Sequence, residues 1–183
     1  MGASVILHAA LSHPSRVAAL VVIAATCKAA TAQQKEAFEQ LAQAWSSTPT
    51  PSEAVMDLAI QSWGGDPDLS GPYARGIKEH WVTRHSGAEN ISAVLQSNQE
   101  REDILGRLEA IRCPVLMVHG ELDATYTLDG AEAIRDGLRN AQVTFQVIKN
   151  SGHLVIGMRD SEDVAMLIGD FAKQVTATDA AVS

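Results

Sequence analysis

Apolar residues follow two different rhythms along this chain. Residues 3–13 carry Val5, Ile6, Ala9 and Ala10 near the spacing of one helix face, and the run stops at His13-Pro14, where proline disfavours helical geometry in the residue before it. Residues 16–24 form one unbroken, β-branched apolar stretch, the pattern of a parallel strand covered on both faces. From 31 to 111 the strand pattern disappears. Helical stretches at 33–45, 52–63, 73–85 and 89–98 are divided by Thr48-Pro49-Thr50-Pro51 and by Gly64-Gly65-Asp66-Pro67-Asp68, both strong turn chemistry. Strand and helix then alternate: strand at 114–119, helix at 130–138, strand at 143–148, helix at 161–175.

This alternation predicts an α/β protein with a parallel three-strand sheet flanked by helices and interrupted by a helical insertion. The core comprises 1–30 and 112–175, the insertion 31–111, and the polar tail 176–183 is expected to be disordered. Composition narrows the function classes. The 183 residues carry 14 Lys and Arg against 22 Asp and Glu, a formal charge of −8, and the basic residues form no run. Nucleic-acid and anionic-membrane binding both need clustered positive charge, so neither partner is expected. No apolar run approaches the roughly 18 residues that a spanning helix requires. Two cysteines, Cys27 and Cys113, make neither a disulfide framework nor a zinc motif, which fits a cytoplasmic protein.

In parallel α/β sheets the reactive groups gather beyond the carboxyl ends of the strands. Two candidates lie there. His119-Gly120-Glu121-Leu122-Asp123 follows one strand, and Asn150-Ser151-Gly152-His153 follows the next. One strand-turn-helix-strand unit returns the chain to the same sheet edge, so Asp123 and His153 can meet. An imidazole with near-neutral pKa can move a proton at a reacting carbonyl, and a buried carboxylate can fix its tautomer and steady the imidazolium.

The order of these features resembles the α/β-hydrolase family, in its capped, serine-hydrolase type. The likeness is carried by Met1-Gly2-Ala3 leading to His13-Pro14-Ser15-Arg16-Val17, by Ile111-Arg112-Cys113-Pro114-Val115 through to Asp123, and by Gly152-His153. It implies that Asp123 is the acid and His153 the general base of a Ser-Asp-His triad, and that 31–111 is a lid over the substrate. It also implies that the chain starts one position after the nucleophile, with the Met1 N–H as an oxyanion donor and the elbow's Gly-x-Ser ahead of it. The expected activity is hydrolysis of a small carboxylic ester, lactone or related carbonyl substrate, with no cofactor and no metal. Two alternatives stand beside it: a non-catalytic pseudoenzyme or interaction module, and an aspartate-nucleophile enzyme of the epoxide-hydrolase or dehalogenase kind.

Blander roles compete for each residue. Asp123 alone reads as a turn residue, and His153 as a turn histidine bonded to a carbonyl. Glu121 is the reserve acid, and His119 reads as a satisfied core histidine. Trp45, Trp63 and Trp81 are candidates for lining an apolar substrate pocket, although tryptophans in a helical block more often serve packing. Without the strand that precedes the elbow, the strand at 16–24 would have an open apolar edge, which predicts self-association.

Overall fold

The computed structural model describes residues 2–63, 68–84, 88–156 and 161–182. Helix α1 (Gly2–Ser12) leads through a 3-10 turn (Pro14–Arg16) to β1 (Leu20–Ile23). Four helices follow, α2 (Ala32–Trp45), α3 (Glu53–Ser62), α4 (Pro72–Arg84) and α5 (Ala88–Gln99), and then a 3-10 segment (Leu105–Ala110). Strand β2 (Val115–Gly120), α6 (Leu128–Gly137), β3 (Val143–Ile148) and α7 (Ser161–Val182) complete the order. The three strands form one parallel sheet in the order β1-β2-β3, as the alternation predicts.

Register and burial explain why the sheet holds. Leu20 pairs with Val115 and Ile23 with Val118, while Val115 pairs with Val143 and Gly120 with Ile148. Side chains alternate between the two faces of the sheet. Leu20, Val22, Val115 and Met117 enter one cluster with Leu7 of α1 and with Ala131 and Ile134 of α6. Leu116 and Val118 turn the other way, to Val155 and Val164, with Leu167, Ile168 and Phe171 of α7 packed on them. Every residue of β2 is buried, whereas β3 exposes Thr144 and Gln146, so β2 is the central strand in environment as well as order.

Two boundaries differ from expectation. The first strand covers four residues rather than 16–24. Pro14 starts a turn in which Arg16 N–H donates to His13 O at 3.0 Å, and Pro114 offers Leu20 only a carbonyl, at 2.9 Å, so pairing begins at Leu20. It ends at Ala24, whose φ of 45° leaves extended geometry. At the other terminus α7 continues to Val182 through the tail expected to be disordered, because residues 170–182 contain no glycine or proline to stop a helix.

The helices between β1 and β2 pack around apolar clusters of their own. Trp45, Met56, Ala59, Ile91 and Leu95 form one, and Ile60 with Ala74 forms a second that Leu154 joins from beyond β3. Helix α2 starts at a full capping box, with Thr31 accepting from Gln34 N–H and Gln34 accepting from Thr31 N–H. The turn expected at Gly64-Gly65-Asp66-Pro67 and the helix end expected at His85 lie outside the described residues. Among the described residues, no helix is long and apolar enough to cross a membrane.

Candidate active site

The loops after β2 and β3 are interlocked by their backbones. Glu121 N–H donates to Ile148 O at 3.0 Å, and Leu122 N–H donates to Ser151 O at 2.8 Å. Asn150 takes the left-handed conformation, φ 57°, that asparagine tolerates, and turns the second loop toward the first. The approach is so close that Gly120 has no room for a side chain. A Cβ there would run into the carbonyl oxygens of Ser151 and Gly152 and lie 2.9 Å from the Gly152 carbonyl carbon.

This interlock brings Asp123 and His153 together. His153 Nδ1 lies 2.9 Å from Asp123 Oδ2, with the carboxylate fully shielded and the imidazole 23% exposed. The other oxygen, Oδ1, accepts backbone N–H bonds from Thr125 and Tyr126, both at 2.9 Å. The turn role and the partner role of Asp123 are therefore not alternatives. One oxygen caps the turn, and that bond pair aims the second at His153. An ionised carboxylate only accepts, so His153 Nδ1 carries the proton, and Nε2 is left as the basic nitrogen. His153 is held from behind as well, since its own N–H donates to Trp63 O at 2.7 Å.

His119 is a core histidine with a second contact. Its Nε2 donates to Tyr126 O at 2.6 Å and lies 3.5 Å from Asp123 Oδ2. Burial, the largest influence on it, holds this imidazole below its usual pKa and hence neutral at pH 7. His119 thus supports the turn without supplying a competing positive charge. Glu121 is exposed, and its carboxylate accepts from Asn150 N–H at 3.0 Å, so it stitches the loops together at the surface.

A cavity of about 450 Å³ opens beside the imidazole, walled by His153 and Leu154 on one side and by Gly2 to Val5 of α1 on another. The first turn of a helix has backbone N–H groups with no partner inside the helix, which suits an anionic oxygen. Met1, the expected oxyanion donor, lies outside the described residues. None of the three tryptophans lines this cavity. Trp45 is buried in the helical cluster, and Trp63 and Trp81 face a separate apolar groove with Tyr73, Ile77 and Leu154. Trp81 stands edge-on to both other rings, at 5.3 Å from Trp45 and 5.4 Å from Trp63, the geometry of mutual packing. Among the described residues, no group of three His, Cys, Asp or Glu side chains could hold a metal ion.

Tyr126 and Arg101 also stand at the site, beyond the residues expected from the sequence. The Tyr126 ring packs edge-on against the His153 imidazole at 5.2 Å, and its backbone contributes to both Asp123 and His119. The spacing Asp-x-x-Tyr carried a hint, because an aspartate commonly accepts from N–H groups two and three residues on. Arg101 comes from the far end of the helical insertion, and no local motif ties it to the site.

The parallel three-strand sheet flanked by helices is part of an α/β-hydrolase fold, as solved structures show. The chain superposes on a malate-bound thermophilic esterase from Thermogutta terrifontis with a TM-score of 0.78 at 22% identity, covering 95% of this chain and 62% of that one. The enol-lactonase of Burkholderia xenovorans gives a TM-score of 0.76 at 16% identity, covering 94% and 63%. A meta-cleavage product hydrolase from Pseudomonas fluorescens gives 0.71 at 14% identity, covering 94% and 61%. These likenesses show the fold, and the chain spans about three fifths of the length of each structure. Within this fold the chain belongs to the Ndr family, whose model matches residues 1–167. No curated protein sequence matches it.

Proposed function

We propose that this chain carries the acid and the general base of a Ser-Asp-His hydrolase acting on small carboxylic esters, lactones or related carbonyl compounds. The observation that carries the reading is the pairing of His153 Nδ1 with a shielded Asp123 whose other oxygen is anchored by two backbone N–H groups. Nε2 of His153 takes the proton of an attacking hydroxyl and returns it to the leaving alkoxide, while Asp123 steadies the imidazolium between the two events. The 183 residues contain no G-x-S-x-G elbow, so in this reading the nucleophile comes from sequence outside them. The helices between β1 and β2 act as the lid. Relatives of this fold described as an esterase and an enol-lactonase support the substrate class.

The test has two arms. The chain alone should not turn over a nitrophenyl ester. A longer protein that places a Gly-x-Ser elbow ahead of Met1 should, and His153→Ala or Asp123→Asn in it should lower kcat by roughly 10³-fold or more with little change in KM. Turnover that survives both substitutions would overturn the reading.

A second reading is favoured by one observation. Among the described residues, β1 has β2 on one side and no strand on the other, an edge suited to pairing with another chain. In that reading the chain is an interaction module that self-associates through β1. Sedimentation at micromolar concentration decides it, because a monomer contradicts edge pairing.

A further inference from the structure

The cavity beside His153 has a positively charged wall that nothing in the proposed triad uses. Arg101 lines it together with Thr26, Ser97, Asn98 and Tyr126. Its guanidinium is fixed by neutral acceptors alone: Nε donates to Lys28 O at 2.7 Å, and Nη1 donates to Asn98 O at 2.7 Å and to the Tyr126 hydroxyl at 3.3 Å. Nη2 is buried and makes no hydrogen bond. Among the described residues no carboxylate forms an ion pair with Arg101. The nearby acid, Asp123, is committed to His153, Thr125 and Tyr126. An arginine held in one place on the cavity wall, with no carboxylate among the described residues paired to its charge, offers a fixed positive charge to an anion.

Tyr126 sets how far that charge stands from the base. The guanidinium carbon lies 5.2 Å from the Tyr126 ring centroid, and the same ring lies 5.2 Å from the His153 imidazole. Arg101 is therefore no farther from the base than those two spans laid end to end. That separation fits a molecule with a carboxylate at one end and an ester carbonyl a few bonds away. A cavity of about 450 Å³ also accommodates a ligand of that size.

We infer that the cavity selects substrates bearing a carboxylate, with Arg101 binding the carboxylate while the scissile carbonyl lies at His153. Half-esters of short dicarboxylic acids and carboxylated lactones are the class it fits. This rests on the reading of the same cavity as the hydrolytic site and adds the substrate's charge to it.

The experiment titrates the full chain with monomethyl succinate, an anion at pH 7, and with the neutral dimethyl succinate, by calorimetry at low salt and again at high salt. The anion should bind at least about tenfold more tightly, an advantage that shrinks with salt. Arg101→Gln should abolish the preference and Arg101→Lys should keep part of it, each variant first checked for native circular dichroism. The wild-type comparison decides the matter even if Arg101→Gln does not fold. Equal affinity for the two esters overturns the inference and leaves the ester-site reading standing. A preference that persists in Arg101→Gln also overturns it. Failure of both esters to bind overturns the inference and the ester-site reading together.

Discussion

The loops beyond β2 and β3 and the helical block between β1 and β2 are stabilised in opposite ways. The loops are joined by backbone hydrogen bonds across a gap that only glycine permits at position 120, and the site's carboxylate is anchored by main-chain N–H groups. The block is joined by side chains, three tryptophans edge to edge over Met56, Ile91 and Leu95. A backbone-built region keeps its geometry under most side-chain changes, whereas a side-chain-built region can be reshaped by substitution. In the proposed function, proton-transfer chemistry therefore belongs to the first region and the choice of substrate to the second.

The largest effect expected from breaking this contrast is in the block. Trp45→Ala removes a buried ring from its cluster and should cost about 4 kcal/mol in chemical denaturation, while amides of β2 keep their hydrogen-exchange protection. Loss of protection in β2 to the same degree would mean that the two regions unfold as one. Gly120→Ala should cost about 3 kcal/mol and separate the loops, because the added methyl meets backbone rather than a movable side chain. A stability within about 0.5 kcal/mol of the parent would show that the interlock is loose.

A smaller effect lies where the helical block meets the sheet. Cys27 O accepts from Ile104 N–H at 2.9 Å, and burial of its thiol, with Asp103 nearby, pushes its pKa from 9.0 up to about 11. The folded state thus holds this proton more tightly than the unfolded chain. Its stabilising contribution is complete below pH 9 and is lost as pH rises toward 11. Denaturation midpoints should fall over that window more steeply in the parent than in Cys27→Ala, and parallel curves would refute the assignment. The smallest effect is Thr31→Ala, which removes the capping box of α2 and should cost about 1 kcal/mol, read by the same denaturation experiment.

The same contrast governs what could be read in advance. The sheet was legible because β-branched runs, proline stops and the return of the chain to one sheet edge are all local or topological signals. Asp123 and His153 followed from their places after two strands. Arg101 was not legible, because its relation to Tyr126 and His153 arises only when the end of the helical insertion meets the loop after β2. The tryptophans looked like pocket residues for the converse reason, since composition records an aromatic ring but not whether it faces a ligand or another ring. The end of α7 departs from the expected disorder because low apolar periodicity says little about a stretch that merely extends an established helix.

Asp123, and not Glu121, holds the His153 imidazole, while Glu121 is bonded to Asn150 N–H. Proton NMR of nitrogen-15-labelled protein tests it most directly, through the far-downfield Nδ1–H signal of His153. The signal should be present in the parent and in Glu121→Gln and absent in Asp123→Ala. A signal unchanged by Asp123→Ala, or one lost in Glu121→Gln, would mean that Asp123 does not hold the ring.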